Sequence, residues 1–262
     1  MPAQRIAAGG EDPFPSASFA SLAEIEPHSF WFRGRNRLIV WALDRYFPEA
    51  SSLLEVGCGT GFVLAGIHDA RPAIRLAGGE IYDEALEIAA RRAPKAKLVA
   101  LDGRSLPFPE AEFELVCAFD VLEHVDEDEA LLGEMRRVAT TGGGLLATVP
   151  QHPRLWSAFD EVAMHRRRYR RSDLASKLRH AGFEPTRVTS FMSLPLPLLA
   201  LGRLRNRHPR AGWDPLAALH PSKPVNFALE RLLDVERALI SSGVSFRAGG
   251  SLLVAARATR AR

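Results

Sequence analysis

"EVGCGTGF", residues 55–62, follows the apolar "SLL" at 52–54 and sets three glycines at alternate positions. Glycine loses more conformational freedom on folding than any other residue, so three beside a strand need a reason. Either the backbone turns through positive φ, or a ligand approaches it closely. In an open α/β sheet, the first strand-to-helix turn lies beyond the carboxyl end of its strand, where nucleotides bind. The dinucleotide fingerprint G-x-G-x-x-G needs glycine at 62, where Phe62 stands, and a phosphate-binding P-loop needs a Lys-Ser/Thr pair that is missing here.

Outward from this turn, strand and helix patterns alternate. "SLLEVG" reads as a strand and is followed by a helix after Gly61. "AIRLAGGE" (73–80), "KLVALD" (97–102), "FELVCAFD" (113–120) and "GGLLATVP" (143–150) read as further strands. Helices fall at "DEALEIAARRA" (83–93) and from about Asp128 to Ala139. Continuous Val, Leu and Ala strands with helices between them predict a doubly wound parallel sheet covered on both faces. "SDLASKLRHAGF" (172–183) adds a helix, "PTRVTSF" (185–191) a sixth strand and "GGSLLVAARA" (249–258) the last. "PHSFWFRGRNRLIVWALDRYF" (27–47) predicts an amphipathic helix ahead of the core.

The expected organisation is a disordered lead-in over 1–20 and a single domain over 21–262. That domain divides into an N-terminal helical cover (21–50), a cofactor-binding core (51–190), a helical insertion or lid (191–246), and the last strand with its tail (247–262). An interval as long as the one before the last strand is usually functional.

Three acidic residues close strands on the rim that carries the glycines: Glu80, Asp102 and Asp120. A carboxylate about 20 residues past such a turn is placed to accept from ribose hydroxyls. Asp102 is placed to accept from the exocyclic amine of an adenine. The alternative for each is a cap on the following helix.

"LLEVGCGTG", "GGEIYDEALEIA", "LDGRSLPFPEAEFELVCAFDVLEHV" and "LLGEMRRVATTGGGLLATVP" together resemble the class I S-adenosylmethionine-dependent methyltransferases, of type 11/12, over about residues 30–190 plus the last strand. The resemblance implies a Rossmann-like seven-stranded sheet with the last strand antiparallel, and S-adenosyl-L-methionine as cofactor. It implies that Glu55, Gly57, Gly59 and Gly61 surround the methionine moiety and that Glu80, with Ile81 in the same cofactor set, holds the ribose. Asp102 and Gly103 would address the adenine, and Asp120 would flank the sulfonium. The segments outside the core look like a bacterial subgroup associated with cell-surface polysaccharide or lipid-linked metabolites.

Methyl transfer needs an in-line acceptor, desolvation and in some cases a base. His124, just past the fourth strand, and His165, after the fifth, are the candidate bases, with bracing of the rim and a solvated basic loop as their respective alternatives. Trp31, Phe32 and Arg35 form a cluster that could close over the cofactor, with Arg35 or Arg33 meeting its carboxylate. "HRRRYRR" (165–171) reads as an oxyanion clamp through Arg168, as a stacking surface for nucleic acid through Tyr169, or as a solvated face. Trp31, Arg168 and Tyr169 are the candidate substrate contacts. The apolar stretch over 191–210 could be a lid or a peripheral membrane-surface contact with Arg203, Arg205, Arg207 and Arg210 at headgroups.

A formal charge of +3 over 262 residues favours no particular partner and speaks against nucleic acid. Two cysteines, Cys58 and Cys117, in strand-like surroundings suggest a reduced cytoplasmic chain with neither a disulfide framework nor a metal site. No signal peptide or membrane span is expected. The expected activity is methyl transfer to an oxygen, or less favourably a nitrogen, of a small anionic or lipid- or sugar-linked acceptor. A nucleic-acid methyltransferase and a non-catalytic cofactor-binding protein remain alternatives, and an NAD-dependent oxidoreductase is disfavoured by Phe62.

Overall fold

The computed structural model describes residues 18–205 and 215–259. These residues form a seven-stranded sheet in the order β3-β2-β1-β4-β5-β7-β6. The strands are β1 (Ser52–Val56), β2 (Arg75–Glu80), β3 (Lys97–Ala100), β4 (Phe113–Phe119), β5 (Ala139–Pro150), β6 (Phe183–Phe191) and β7 (Ser251–Ala258). The first five pair in parallel, and β7 inserts antiparallel to both β5 and β6. This is the sheet that the strand patterns and the family resemblance predict.

Adjacent strand residues supply opposite layers. Leu54 and Val56 join a core with Leu131 and Met135 of α5 (Asp128–Val138) and Leu174 and Leu178 of α7 (Arg171–His180). Leu53 joins the other core, with Ile39 and Leu43 of α2 (Phe30–Tyr46) and Leu64 and Ile67 of α3 (Phe62–Ala70). Burial on both faces explains why the strands read as continuous apolar runs rather than alternating ones. The remaining crossover is α4 (Asp83–Arg92).

Helix α1 (Ser18–Ile25) begins inside the stretch expected to be a lead-in, so residues 18–20 are helical; residues 1–17 lie outside the described part. Strand β3 stops at Ala100, and Asp102 therefore sits in the loop beyond it, bridged to Ser105. Before β7 come α8 (Leu196–Arg205) and the long α9 (Lys223–Ser241). Helix α9 packs on α2 where a Cβ at Gly34 would come within 2.6 Å of Leu233. Arg37 fastens the same contact by ion pairs to Glu230 at 2.8 Å and Asp234 at 3.0 Å. Among the described residues no helix is long and apolar enough to cross a membrane.

Candidate active site

A cavity of about 1000 Å³ opens at the carboxyl ends of β1, β2 and β4. Its floor is the turn after β1, where Gly57, Gly59 and Gly61 have φ of 70°, 51° and 74°. All three therefore occupy the left-handed region that side chains disfavour, but they serve different ends. A Cβ on Gly57 would collide with Val121 at 2.5 Å, and one on Gly61 would press on Ala89 of α4 at 3.0 Å. A Cβ on Gly59 would meet nothing within 4 Å. Gly59 lines the cavity and its missing side chain leaves room above the backbone. Gly61, expected among the cofactor contacts, does not line the cavity; it starts α3 and lets α3 and α4 approach.

Glu80 ends β2 and turns its carboxylate back toward this floor. It accepts from the Gly59 amide at 2.9 Å, from Ile81 at 2.7 Å and from Tyr82 at 3.3 Å. Burial raises its pKa while these amides oppose the shift. Oε1 takes two of these bonds and Oε2 one, so Oε2 keeps an acceptor site that suits a ribose hydroxyl.

Glu55 is buried in β1, and its Oε2 has no hydrogen-bond partner among the described residues. Burial pushes its pKa up to about 8, with Arg35 pulling it down and Glu80 pushing it further up. A buried carboxylate oxygen without a donor is costly, and an ammonium group would satisfy it. The α-ammonium of a methionine moiety is such a group. The unfilled space at Gly59, the Glu80 acceptor and the Glu55 orphan therefore fit S-adenosylmethionine together.

Asp102 and Gly103 also line the cavity, as does half-exposed Ile81. Asp102 accepts from the Arg104 backbone at 2.9 Å and pairs with its guanidinium at 2.7 Å, and this partner holds its carboxyl low. Arg104 must shift before Asp102 can receive an adenine amine. Asp120, at φ 57°, is held by its amide on the Thr148 carbonyl at 2.9 Å and by an ion pair with Arg35. Arg35 stacks on Trp31, 4.4 Å from the ring centroid, and both line the cavity. Arg35 thus faces the site with Nη1 on Asp120, while its buried Nε has no hydrogen-bond partner among the described residues. Arg33 points away, to Glu230 at 3.1 Å.

His124 and His165 also line the cavity, their rings 4.8 Å apart and nearly perpendicular. His165 Nδ1 lies 3.0 Å from Asp160 Oδ1. Burial alone would raise the Asp160 carboxyl, but the His165 bond and the guanidinium groups of Arg168 and Arg203 hold it well below the usual range.

Arg168 and Tyr169 of the basic run are both engaged within the protein. Arg168 borders the cavity, yet it is buried and donates to Asp160 at 2.6 Å and to the Gln151 and Gly250 carbonyls at 2.9 Å each. Each of its three nitrogens already donates to an acceptor of the protein. Tyr169 does not line the cavity; its hydroxyl lies 2.7 Å from Asp128 and 3.1 Å from the Leu122 carbonyl, so it offers no stacking surface. Arg203, expected at lipid headgroups, turns inward to Asp160 at 2.7 Å. Arg207 and Arg210 lie outside the described residues, as does the side chain of Arg205.

The sequence reading missed one layer of the site. At the end of α1, Glu26 accepts from Thr60 in the glycine turn at 2.6 Å and pairs with Arg92 of α4. Arg92 also donates to the Ala23 carbonyl at 2.8 Å. This buried network clasps α1 over the floor. Its three members belong to separate elements, and no local pattern joins them.

A model described as a methyltransferase domain matches residues 54–147, which span the glycine turn, Glu80, Asp102, Asp120 and His124. This match gives the chain a methyltransferase domain over residues 54–147, within the span that resembles the class I S-adenosylmethionine-dependent methyltransferases. A "Probable S-adenosylmethionine-dependent methyltransferase" of Mycolicibacterium smegmatis is 28% identical over 65% of this chain and 65% of its own length. A protein of the same description from Mycobacterium tuberculosis is 29% identical over 66% of each chain. The matched part is thus just under two thirds of either relative. Haemonchus contortus phosphoethanolamine N-methyltransferase 2, solved with phosphomonomethylethanolamine and S-adenosylhomocysteine, superposes with a TM-score of 0.62 at 17% identity, covering 94% of this chain and 58% of that one. At that identity the likeness shows the shared fold. The cavity wall formed by the glycine turn, Glu80, Asp102 and Asp120 falls within the matched span, and further walls come from α2, α8 and α9.

Proposed function

We propose that the protein transfers a methyl group from S-adenosylmethionine to an oxygen of a small acceptor that carries an apolar portion. The observation that carries this reading is that one cavity gathers both sets of groups: the glycine floor, Glu55 and Glu80, and the His124–His165 pair beside Glu123. Its lining also includes the apolar Leu198, Leu199, Leu219, Val225 and Leu229.

S-adenosylmethionine supplies an already activated sulfonium methyl. The chain's own task is to hold the acceptor in line, exclude water and manage the acceptor's proton. Helices α2, α8 and α9 exclude water, and the histidine cluster meets the acceptor hydroxyl and takes charge of its proton. Arg168 and Arg203 both pair with Asp160, so an anionic acceptor gains no support from these two. Val162, Leu198 and Val225, exposed and lining the cavity, favour a lipid-linked or otherwise apolar one.

The test is a screen of hydroxylated acceptors with and without apolar tails, following S-adenosylhomocysteine release, with RNA in parallel. Turnover on an apolar hydroxylated acceptor supports the reading. Turnover on RNA alone contradicts it.

A further inference from the structure

We propose that Glu123, His124 and His165 form a binding site for a divalent transition-metal cation in the cavity, with Asp160 holding His165 in its ligating orientation. Each of the three offers one ligand atom, and these atoms lie within 4.8 Å of one another. Around a cation with bonds of about 2.1 Å, tetrahedral ligands stand about 3.4 Å apart. Modest side-chain rotation closes that difference.

Glu123 supplies the independent sign of a missing partner. Its side chain is 0% exposed, and neither carboxylate oxygen has a hydrogen-bond partner among the described residues. Buried carboxylates are paired, protonated or bound to metal. The nearest cationic candidate is His165 Nε2, at 4.0 Å. That separation is too long for a hydrogen bond and leaves space between the two atoms.

The second sphere is already built. Asp160, fixed by Arg168 and Arg203, accepts from Nδ1 of His165 and so directs the Nε2 lone pair toward Glu123. A carboxylate on the far nitrogen is the usual support of a metal-ligating histidine. The Arg166 amide donates to the Glu123 carbonyl at 2.7 Å, which ties the two ligand-bearing segments together although they are distant in sequence.

Two imidazoles and one carboxylate suit zinc, iron, cobalt or manganese better than magnesium or calcium, which prefer all-oxygen shells. All three ligands line the cavity, so the remaining coordination positions face it. An acceptor with oxygen donors could complete the shell and have its hydroxyl acidified there; this consequence alone rests on the methyl-transfer reading. The expectation of no metal site came from cysteine spacing, which carries no information about a Glu-His-His set.

The test uses the full chain, stripped with a chelator and free of cofactor and acceptor. Zinc titration by calorimetry and cobalt titration by visible absorption are each expected to show one-to-one binding, with cobalt d–d bands that report nitrogen ligands. Glu123→Gln, which keeps the buried shape, is expected to weaken binding at least tenfold. Asp160→Asn is expected to weaken it by about 10–100-fold. Absence of stoichiometric zinc or cobalt binding to the wild-type chain overturns the proposal, and so does equal affinity in Glu123→Gln. A buried His165⁺–Glu123⁻ pair would give the first of these results. No step requires methyl transfer, so failure here is distinct from failure of the proposed reaction.

Discussion

The Gly59 amide donates to the Glu80 carboxylate across 2.9 Å, joining the turn after β1 to the end of β2. One bond thus shapes the floor and aims the carboxylate that the methyl-transfer reading gives to the ribose. Glu80→Ala is expected to remove both, weakening S-adenosylhomocysteine binding by about 10–100-fold, the range for hydrogen bonds to a charged group. Glu80→Asp, one methylene shorter, is expected to fall between. Calorimetric titration of both variants checks the order.

The three glycines separate by role. Gly57→Ala puts a Cβ 2.5 Å from Val121 at φ 70°, so it is expected to lose about 2–4 kcal/mol of stability through combined backbone strain and overpacking. Gly59→Ala meets no protein atom and is expected to cost only the backbone term, about 1–2 kcal/mol, while cofactor binding suffers out of proportion. Denaturant midpoints set beside cofactor affinities for the pair distinguish packing from close approach.

Glu55 predicts a pH dependence of definite sign. Its folded pKa is near 8, against an unperturbed 4.5. Between those values the folded protein keeps a proton that the unfolded chain has released. Its contribution to stability is complete below pH 4.5 and is lost as pH rises through 8. Glu55→Gln is expected to flatten the fall in unfolding midpoint between about pH 5.5 and 8.5. Pairing with the cofactor ammonium favours the ionised form, so wild-type affinity for S-adenosylhomocysteine is expected to rise over the same interval, and the variant's to stay level.

Arg168→Ala is expected to act on stability before acceptor recognition. It removes one of the two guanidinium partners of buried Asp160 and the donor to the Gln151 and Gly250 carbonyls, with Arg203 remaining, and is expected to cost about 1–3 kcal/mol. A folded Arg168→Ala protein with an unchanged unfolding midpoint and a raised acceptor KM would return the residue to the substrate.

The layered sheet was legible because strands buried on both faces must be apolar throughout, as "SLLEV" and "FELVCAF" are. The floor was legible because Gly59 and Glu80 belong to a turn and a strand end whose positions the alternation sets. Gly57 and Gly61 gave the same signal for a different cause, since contact with Val121 or Ala89 is a tertiary fact. "HRRRYRR" misled for a related reason. A charge run does not reveal which side chains fold inward, and Tyr169 and Arg168 do so because β5 continues into a bridge between Gln151 and Tyr169. His124 and His165 were each visible as candidates, but their meeting over Glu123 depends on the loop fastened by the Arg166 amide. Glu26, Thr60 and Arg92 were invisible because their network exists only once α1 docks on the floor.

Calorimetric titration of the full chain with S-adenosylhomocysteine, beside NAD as the competing nucleotide, tests the central claim most directly. The account predicts saturable one-to-one binding of S-adenosylhomocysteine that Glu80→Ala abolishes or severely weakens, and no heat from NAD. Saturable NAD binding with none of S-adenosylhomocysteine would contradict it.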